Sequence, residues 1–197
     1  MGLKEATAII LAGGNSTRMG RDKATLPWGN SNILNYLAMN LMQVCREVIV
    51  VSNRPRDVAA LVRVVPDIIP HRGPLGGIHS GLCHATYAQA VIVGCDMPFV
   101  RPEVVRILLD KMGVWDAVVP IYGGRPQPLL AAYSKECIPL AEELLKNQEY
   151  KVLSLLAKVK CSYVKDEWSS IVAPEILFQN LNTIEDYVIM RKYAESR

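Results

Sequence analysis

At 197 residues with a net charge of only +3, the chain is long enough for one sizeable core and short for two. Its cations are scattered rather than gathered in a basic stripe with interleaved aromatics, so a nucleic-acid polymer is not an expected partner. The five cysteines (Cys45, Cys83, Cys95, Cys137, Cys161) are widely spaced with no Cys-x-x-Cys pair, which gives neither a disulfide framework nor a zinc motif, and no apolar run approaches the roughly 20 residues of a membrane span.

The opening residues Met1–Glu5 lack the apolar stretch of a signal peptide, so a soluble cytoplasmic protein with reduced thiols is expected. The apolar run Ala6-Thr7-Ala8-Ile9-Ile10 predicts a buried strand over Thr7–Ala12. It opens into Leu11-Ala12-Gly13-Gly14-Asn15-Ser16-Thr17-Arg18-Met19-Gly20-Arg21-Asp22-Lys23. Adjacent glycines let backbone N–H groups approach phosphate oxygens, and Arg18, Arg21 and Lys23 add charge. Neither standard phosphate motif fits: five residues separate Gly14 from Gly20, where a P-loop has four, and Gly13 directly abuts Gly14, where the dinucleotide fingerprint needs a spacer. The other reading is a glycine turn with a solvated basic face.

A helix over Ile33–Cys45 leads to a strand at Glu47–Ser52, followed by the polar, cationic Asn53-Arg54-Pro55-Arg56. A short strand at Arg63–Val65 precedes Pro66-Asp67. The second glycine-rich stretch, His71-Arg72-Gly73-Pro74-Leu75-Gly76-Gly77, opens a helix over Ile78–Thr86, and either its helix N-terminus holds part of a substrate or it is a tight turn. The strand Ala90–Val93 ends at Gly94-Cys95-Asp96-Met97-Pro98. A helix at Pro102–Met112, a strand at Ala117–Pro120, a surface loop at Tyr122–Pro128 and a strand at Leu129–Tyr133 follow. Helices at Lys135–Lys146 and Val152–Ala157, a strand at Cys161–Val164 and a last helix at Ile184–Ala194 complete the chain, with Thr183 as N-cap. Near-continuous apolar strands alternating with helices predict an α/β fold: one domain over 1–197, three layers, Rossmann-like, with a mainly parallel sheet.

Ligands bind such sheets at the carboxyl ends of the strands. That rule collects Arg18, Lys23, Asn53, Asp67 and Asp96 on one rim. Asp96 either caps the next helix or, facing a phosphate loop, holds magnesium, which takes one or two carboxylates plus substrate phosphates. Asn53 and Asp67 are either turn residues or hydrogen-bonding groups for a base edge or ribose. His71, His79 and His84 form no recognisable ligand spacing with the cysteines and are read as non-ligands. No Ser/His/Asp arrangement or Gly-x-Ser-x-Gly elbow indicates nucleophilic catalysis. The sequence assigns no ligand contact to Arg21, Arg56 or Arg72.

Taken together, these segments resemble the molybdenum cofactor guanylyltransferases, within the wider nucleotidyltransferase superfamily that also serves sugar phosphates and isoprenoid precursors. The matching pieces are Leu11-Ala12-Gly13-Gly14-x-Ser16-x-Arg18-Met19-Gly20-x-Asp22-Lys23, Asn53-Arg54, Asp67, Gly73-Pro74-Leu75-x-Gly77, Cys95-Asp96-Met97-Pro98, Gln127-Pro128-Leu129 and Asn180-Leu181-Asn182-Thr183. The resemblance implies a nucleotide-diphospho-sugar transferase type of fold and transfer of GMP from GTP to a molybdenum-bound pterin, with pyrophosphate released. It implies that Leu11, Ala12, Gly13, Gly14, Lys23, Asn53, Asp67 and Asp96 bind GTP, that Asp96 also holds Mg2+, and that Asn180 and Asn182 lie on the pterin side. Arg18, Lys23 and Asp96 carry the catalytic expectation. Cofactor biosynthesis proteins and acceptor molybdoenzymes are the partners it implies, with neither nucleic acid nor membrane involved.

Two alternatives stand beside it. One is a CTP-dependent pterin cytidylyltransferase, or another small-molecule nucleotidyltransferase. Cytidylyl relatives tend to carry Leu-Ala-Ala-Gly where this chain has Leu11-Ala12-Gly13-Gly14, and a missing methyl leaves room for a larger purine. The other is a non-catalytic nucleotide-binding module that delivers cofactor; Lys23 and Asp96 speak for catalysis.

Overall fold

The apolar runs become strands buried on both faces, as a sheet covered by helices requires. In the computed structural model, which describes residues 2–13 and 22–196, the chain begins with β1 (Lys4–Leu11). A short 3-10 helix at Lys23–Thr25 leads to the hairpin of β2 (Pro27–Trp28) and β3 (Ser31–Asn32), then to α1 (Ile33–Leu41). Next come β4 (Cys45–Val51), β5 (Arg63–Val65), α2 (Gly73–His84), β6 (Gln89–Gly94) and α3 (Pro102–Asp110). The second half holds β7 (Ala117–Tyr122), β8 (Arg125–Pro126), β9 (Leu130–Ser134), α4 (Cys137–Lys146) and α5 (Val152–Leu156). It closes with β10 (Cys161–Val164), α6 (Pro174–Leu177) and α7 (Ile184–Glu195).

The main sheet runs in the order β10-β7-β9-β6-β1-β4-β5, with β8 paired to β7 off this path. β1 lies parallel to both β4 and β6, β4 to β5, and β7 to β10. β9 is antiparallel to both its neighbours, β6 and β7, so the sheet is mainly parallel with one reversed central strand. Strand alternation divides the core: Ala8 and Ile10 face the layer of α1, α3 and α7, while Ile9 faces the layer of α2, α4 and α5. Both layers are apolar and continuous, and each fully buried Ile or Leu contributes about 1.5–3 kcal/mol relative to exposure. The α/β, three-layer expectation is borne out.

The differences have local causes. The first predicted helix stops at Leu41 rather than Cys45, because Cys45 pairs into β4 opposite Lys4. α2 begins at Gly73 instead of Ile78; its glycines mask a helical signal that packing supplies. The predicted surface loop Tyr122–Pro128 folds back as a hairpin in which Tyr122 pairs with Arg125. Gly123 and Gly124 both sit at positive φ (56° and 73°), the two-residue turn that fits the twist of its strands. The β2–β3 hairpin and α6 are too short for a periodic signal.

Candidate active site

The carboxyl ends of β1, β4, β5 and β6 open into a cavity of about 540 Å³. Leu11, Ala12, Gly13, Lys23, Asn53, Asp67 and Asp96 all line it, so the rim expected from strand ends exists. Gly14 and Arg18, expected at the same site, lie outside the described residues, as does Arg21.

The floor is fixed by backbone pairing. Ala12 N–H donates to Val51 O (3.0 Å) and Cys95 N–H to Leu11 O (3.2 Å), locking the ends of β1, β4 and β6 together. Among the described residues, a Cβ built on Gly13 meets nothing closer than Asp67 Oδ2, at 4.0 Å, so a side chain there would project beside Asp67 toward the cavity. Asn53 and Asp67 hold each other: Asn53 Nδ2 donates to Asp67 Oδ2 (2.8 Å) and Asp67 N–H donates to Asn53 Oδ1 (2.9 Å). That pairing sets both side chains in one orientation and leaves Asp67 Oδ1 as an acceptor.

Asp96 follows β6 and is half-buried. A Cβ on Gly94 would stand 2.6 Å from Asp96 Oδ1, so only glycine lets the carboxylate fold back there. Burial pushes the Asp96 carboxyl above its ordinary value, while the Lys23 charge and its own backbone N–H pull it back. A half-buried carboxylate whose charge burial disfavours gains when a cation stands beside it. The donor set of one carboxylate at the edge of a cavity roomy enough for phosphates suits Mg2+, which keeps most of its waters and phosphate ligands.

Lys23 donates from Nζ to Asn182 Oδ1 (3.2 Å). Asn182 reaches this position because Leu181 N–H donates to Asp96 O (2.8 Å) and because α7 begins with a capping box. Within that box Asp186 Oδ2 accepts from the N–H groups of Asn182 (2.9 Å) and Thr183 (2.8 Å), which hold its carboxyl below the ordinary value. The expected pterin-side Asn182 thus meets the expected phosphate-side Lys23, but both Asn180 and Asn182 are exposed and neither lines the cavity itself.

The residue that sequence reasoning left undecided is Arg56. Its side chain is 4% exposed and is committed to the scaffold. Nη2 donates to Ala12 O (2.6 Å), Nε to Ser52 Oγ (2.9 Å), and Nη1 pairs with the Asp22 carboxylate. Asp22 in turn caps the 3-10 helix by accepting from Ala24 N–H (3.1 Å). Arg56 therefore ties together the described residues on both sides of segment 14–21. Its place after a strand was visible in the sequence; partners 34 and 44 residues away were not. Arg72, also undecided, lines the cavity with its guanidinium 4.9 Å from the centre of the Tyr150 ring, its Nε buried and without a partner among the described residues.

No described side chain at the cavity is an activated nucleophile. Burial pushes the Cys95 thiol up to about 12, and the Ser52 hydroxyl is engaged with Arg54 and Arg56. What the cavity offers is cationic charge, aligned backbone and, at Asp96, a carboxylate suited to a cation.

Comparison with known proteins gives the family and the fold. The family model of the MobA-like NTP transferase domain matches residues 8–161. The chain belongs to that family. A relative from Pelotomaculum thermopropionicum, described as a probable molybdenum cofactor guanylyltransferase, is 41% identical over 98% of this chain and 95% of its own length. Among solved structures, the molybdopterin-guanine dinucleotide biosynthesis protein A of Archaeoglobus fulgidus superposes with a TM-score of 0.81 over 97% of this chain and all of its own, at 22% identity. The 2-C-methyl-D-erythritol 4-phosphate cytidylyltransferase of Thermus thermophilus shares the fold at TM-score 0.73 and 15% identity, over 98% of this chain and 100% of that one. Among the described residues, no helix is long and apolar enough to cross a membrane.

Proposed function

We propose that this chain transfers GMP from GTP to the terminal phosphate of a molybdenum-bound pterin, in the cytoplasm, forming the guanine dinucleotide cofactor and pyrophosphate. The observation that carries the reading is the division of the cavity across the sheet. The Asn53–Asp67 pair stands beyond β4 and β5, whereas Asp96 and Lys23 stand at the β6 side, with β1 between them. Three strand spacings of about 4.8 Å separate β5 from β6, a span suited to a nucleotide laid base to phosphate across the strand ends. Asp67 Oδ1 is an acceptor, matched to the N–H donors on the edge of guanine.

In this arrangement a pterin phosphate oxygen attacks the α-phosphorus of GTP. The new P–O bond forms as the bond between the α- and β-phosphates breaks, and its electron pair leaves with pyrophosphate. The nucleophile is already anionic, so no protein base is needed, in keeping with a protonated Cys95. Leu11–Gly13 present backbone, Lys23 neutralises phosphate charge, and Asn182 fixes the Lys23 ammonium toward the acceptor side. Asp96 would hold Mg2+, which supplies charge neutralisation at the phosphates when bound. Gly14 and Arg18 complete the loop side of the reading.

The test incubates purified protein with Mg2+, labelled GTP and metal-loaded pterin, with CTP as competitor. Dinucleotide and pyrophosphate are expected from GTP; absence of both products refutes the transferase, and bound GTP without turnover supports a delivery module. Gly13→Ala should shift the preference toward CTP, because its methyl enters the cavity beside Asp67. An unchanged GTP-to-CTP ratio in that variant removes Gly13 from base selection.

A further inference from the structure

His79 and Cys83 stand four residues apart on α2 and therefore share one helix face. Across from them, α4 supplies Glu142. His79 is 2% exposed, and its Nε2 lies 3.4 Å from Glu142 Oε1 and 3.5 Å from Cys83 Sγ, with all three ligand atoms within 4.8 Å of one another. The sequence reading placed His79 among the non-ligands, since spacing along the chain does not reveal Glu142.

As hydrogen bonding, this cluster is poor. An N–H···O contact of 3.4 Å is longer than the usual range of about 2.7–3.2 Å. Among the described residues, the other ring nitrogen, Nδ1, is buried without a partner. At Nε2, the nitrogen that faces both neighbours, the buried imidazole is therefore only weakly compensated. As two edges of a coordination tetrahedron, the distances from Nε2 fit well, and the third pair, Sγ and Oε1, lies within 4.8 Å. Bonds of about 2.0–2.1 Å to nitrogen, 2.3 Å to sulfur and 2.0–2.2 Å to oxygen, at tetrahedral angles, place N and S about 3.5 Å apart and N and O about 3.4 Å apart.

We propose that His79, Cys83 and Glu142 form a zinc site. Zinc takes this mixed nitrogen, sulfur and oxygen set in tetrahedral geometry. Cys83 gives its thiol proton to solvent on binding, and its thiolate with the Glu142 carboxylate balances the two positive charges. The cluster is therefore neutral once loaded, which suits its buried side. The Glu142 side chain is 43% exposed, so the fourth position belongs to water on that side. Lys146 approaches the other carboxylate oxygen, Oε2, at 3.9 Å and leaves Oε1 to the metal. Zinc bound here pins α2 to α4, and the first turn of α2 lines the nucleotide cavity through Gly73, Pro74 and Gly77. The ligands are not cavity residues, so the site stands independently of the proposed reaction.

The experiment strips the full-length protein with chelator, adds Zn2+, dialyses and measures metal per chain. One zinc is expected in the wild type and in Asp96→Asn; binding should be at least about 100-fold weaker in Cys83→Ser and about 10–100-fold weaker in Glu142→Gln. Glu142 is half-exposed, so its amide variant keeps the fold if burial at His79 or Cys83 makes those variants unstable. Co2+ in place of Zn2+ should give a thiolate-to-metal charge-transfer band in the wild type that Cys83→Ser lacks. Equal zinc in wild type, Cys83→Ser and Glu142→Gln, no retained zinc in the wild type, or a Co2+ complex without the thiolate band overturns the proposal.

Discussion

Asp96 is a carboxylate in a place that disfavours its charge. Burial raises its pKa, and the Lys23 ammonium offsets this only in part. A carboxyl whose pKa is higher in the fold than in the open chain costs stability when ionised; that cost is present above the folded pKa and disappears as pH falls below the ordinary value. Asp96→Asn removes it. The variant without ligand is expected to melt above the wild type at pH 7–8, with the gap closing toward pH 4. Turnover should fall at least about 100-fold, on the scale of losing one preorganised electrostatic group from a reaction centre. A melting temperature equal to or below that of the wild type at pH 8 would show that the charge is not strained; near-normal turnover would take Asp96 out of metal binding. The same residue was accessible from sequence because it follows an apolar strand and the carboxyl-end rule is geometric. Arg56 was not, since a buried arginine and a ligand arginine look alike until Ala12 O, Ser52 and Asp22 are seen around it.

At the level of elements, α2 shows why a helix can be hidden from its own sequence. Gly73, Gly76, Gly77 and Gly81 lower its intrinsic propensity, yet the helix runs from Gly73 to His84. Gly81 explains the choice: a Cβ there would lie 2.5 Å from Ile9 Cγ2 and 3.1 Å from Ile9 Cδ1, on a fully buried β-branched side chain that has little room to turn. The helix sits on β1 at a distance only glycine allows. Propensity alone says that Gly81→Ala stabilises by about 1 kcal/mol. Packing says the reverse, since overpacking a tight core costs roughly 1–3 kcal/mol. We expect packing to prevail and Gly81→Ala to lower Tm by several degrees, with a coupling to Ile9→Ala that makes the double variant less damaged than the sum of the singles. A Tm at or above the wild-type value in Gly81→Ala would mean that β1 yields. The seven longer strands, by contrast, were legible to within two residues at each end, save that β1 starts at Lys4 rather than Thr7, because Ile- and Val-rich runs between turn residues carry their own signal; the two-residue β2, β3 and β8 were not, nor was the reversed direction of β9, a property of its neighbours β6 and β7.

Across the whole molecule, the two ends of the sheet have separate tasks. The carboxyl ends open the cavity, and the opposite edge is closed by Glu47. Thr7 of β1 donates to Glu47 Oε2 (2.6 Å), as does Thr86 N–H (2.8 Å), while Thr86 Oγ1 (2.9 Å) and Arg63 of β5 (2.5 Å) donate to Oε1. Arg63 also donates to His84 O (3.0 Å), tying in the end of α2. One carboxylate thus joins β1, β4, β5 and the turn after α2, contacts between 16 and 40 residues apart that no local pattern announces. Burial pushes the Glu47 carboxyl up, but the hydrogen bonds from Thr7, Thr86 and Arg63 outweigh it and leave the pKa below its ordinary 4.5. A depressed carboxyl pKa contributes stability that is present above the open-chain value and is lost as pH falls through the folded one. Glu47→Gln replaces an acceptor with a donor in front of Thr86 and Arg63, so we expect a loss of about 2 kcal/mol, or roughly 4–8 °C in Tm at pH 7 for a domain of this size. The wild-type and variant curves should converge as the wild type is acidified below pH 4, because protonation removes the same carboxylate. Below the melting range, KM for GTP should be unchanged, since Glu47 stands at the far end of the strands. A variant that keeps its Tm but loses nucleotide affinity would show that the two ends of the sheet are coupled rather than separate.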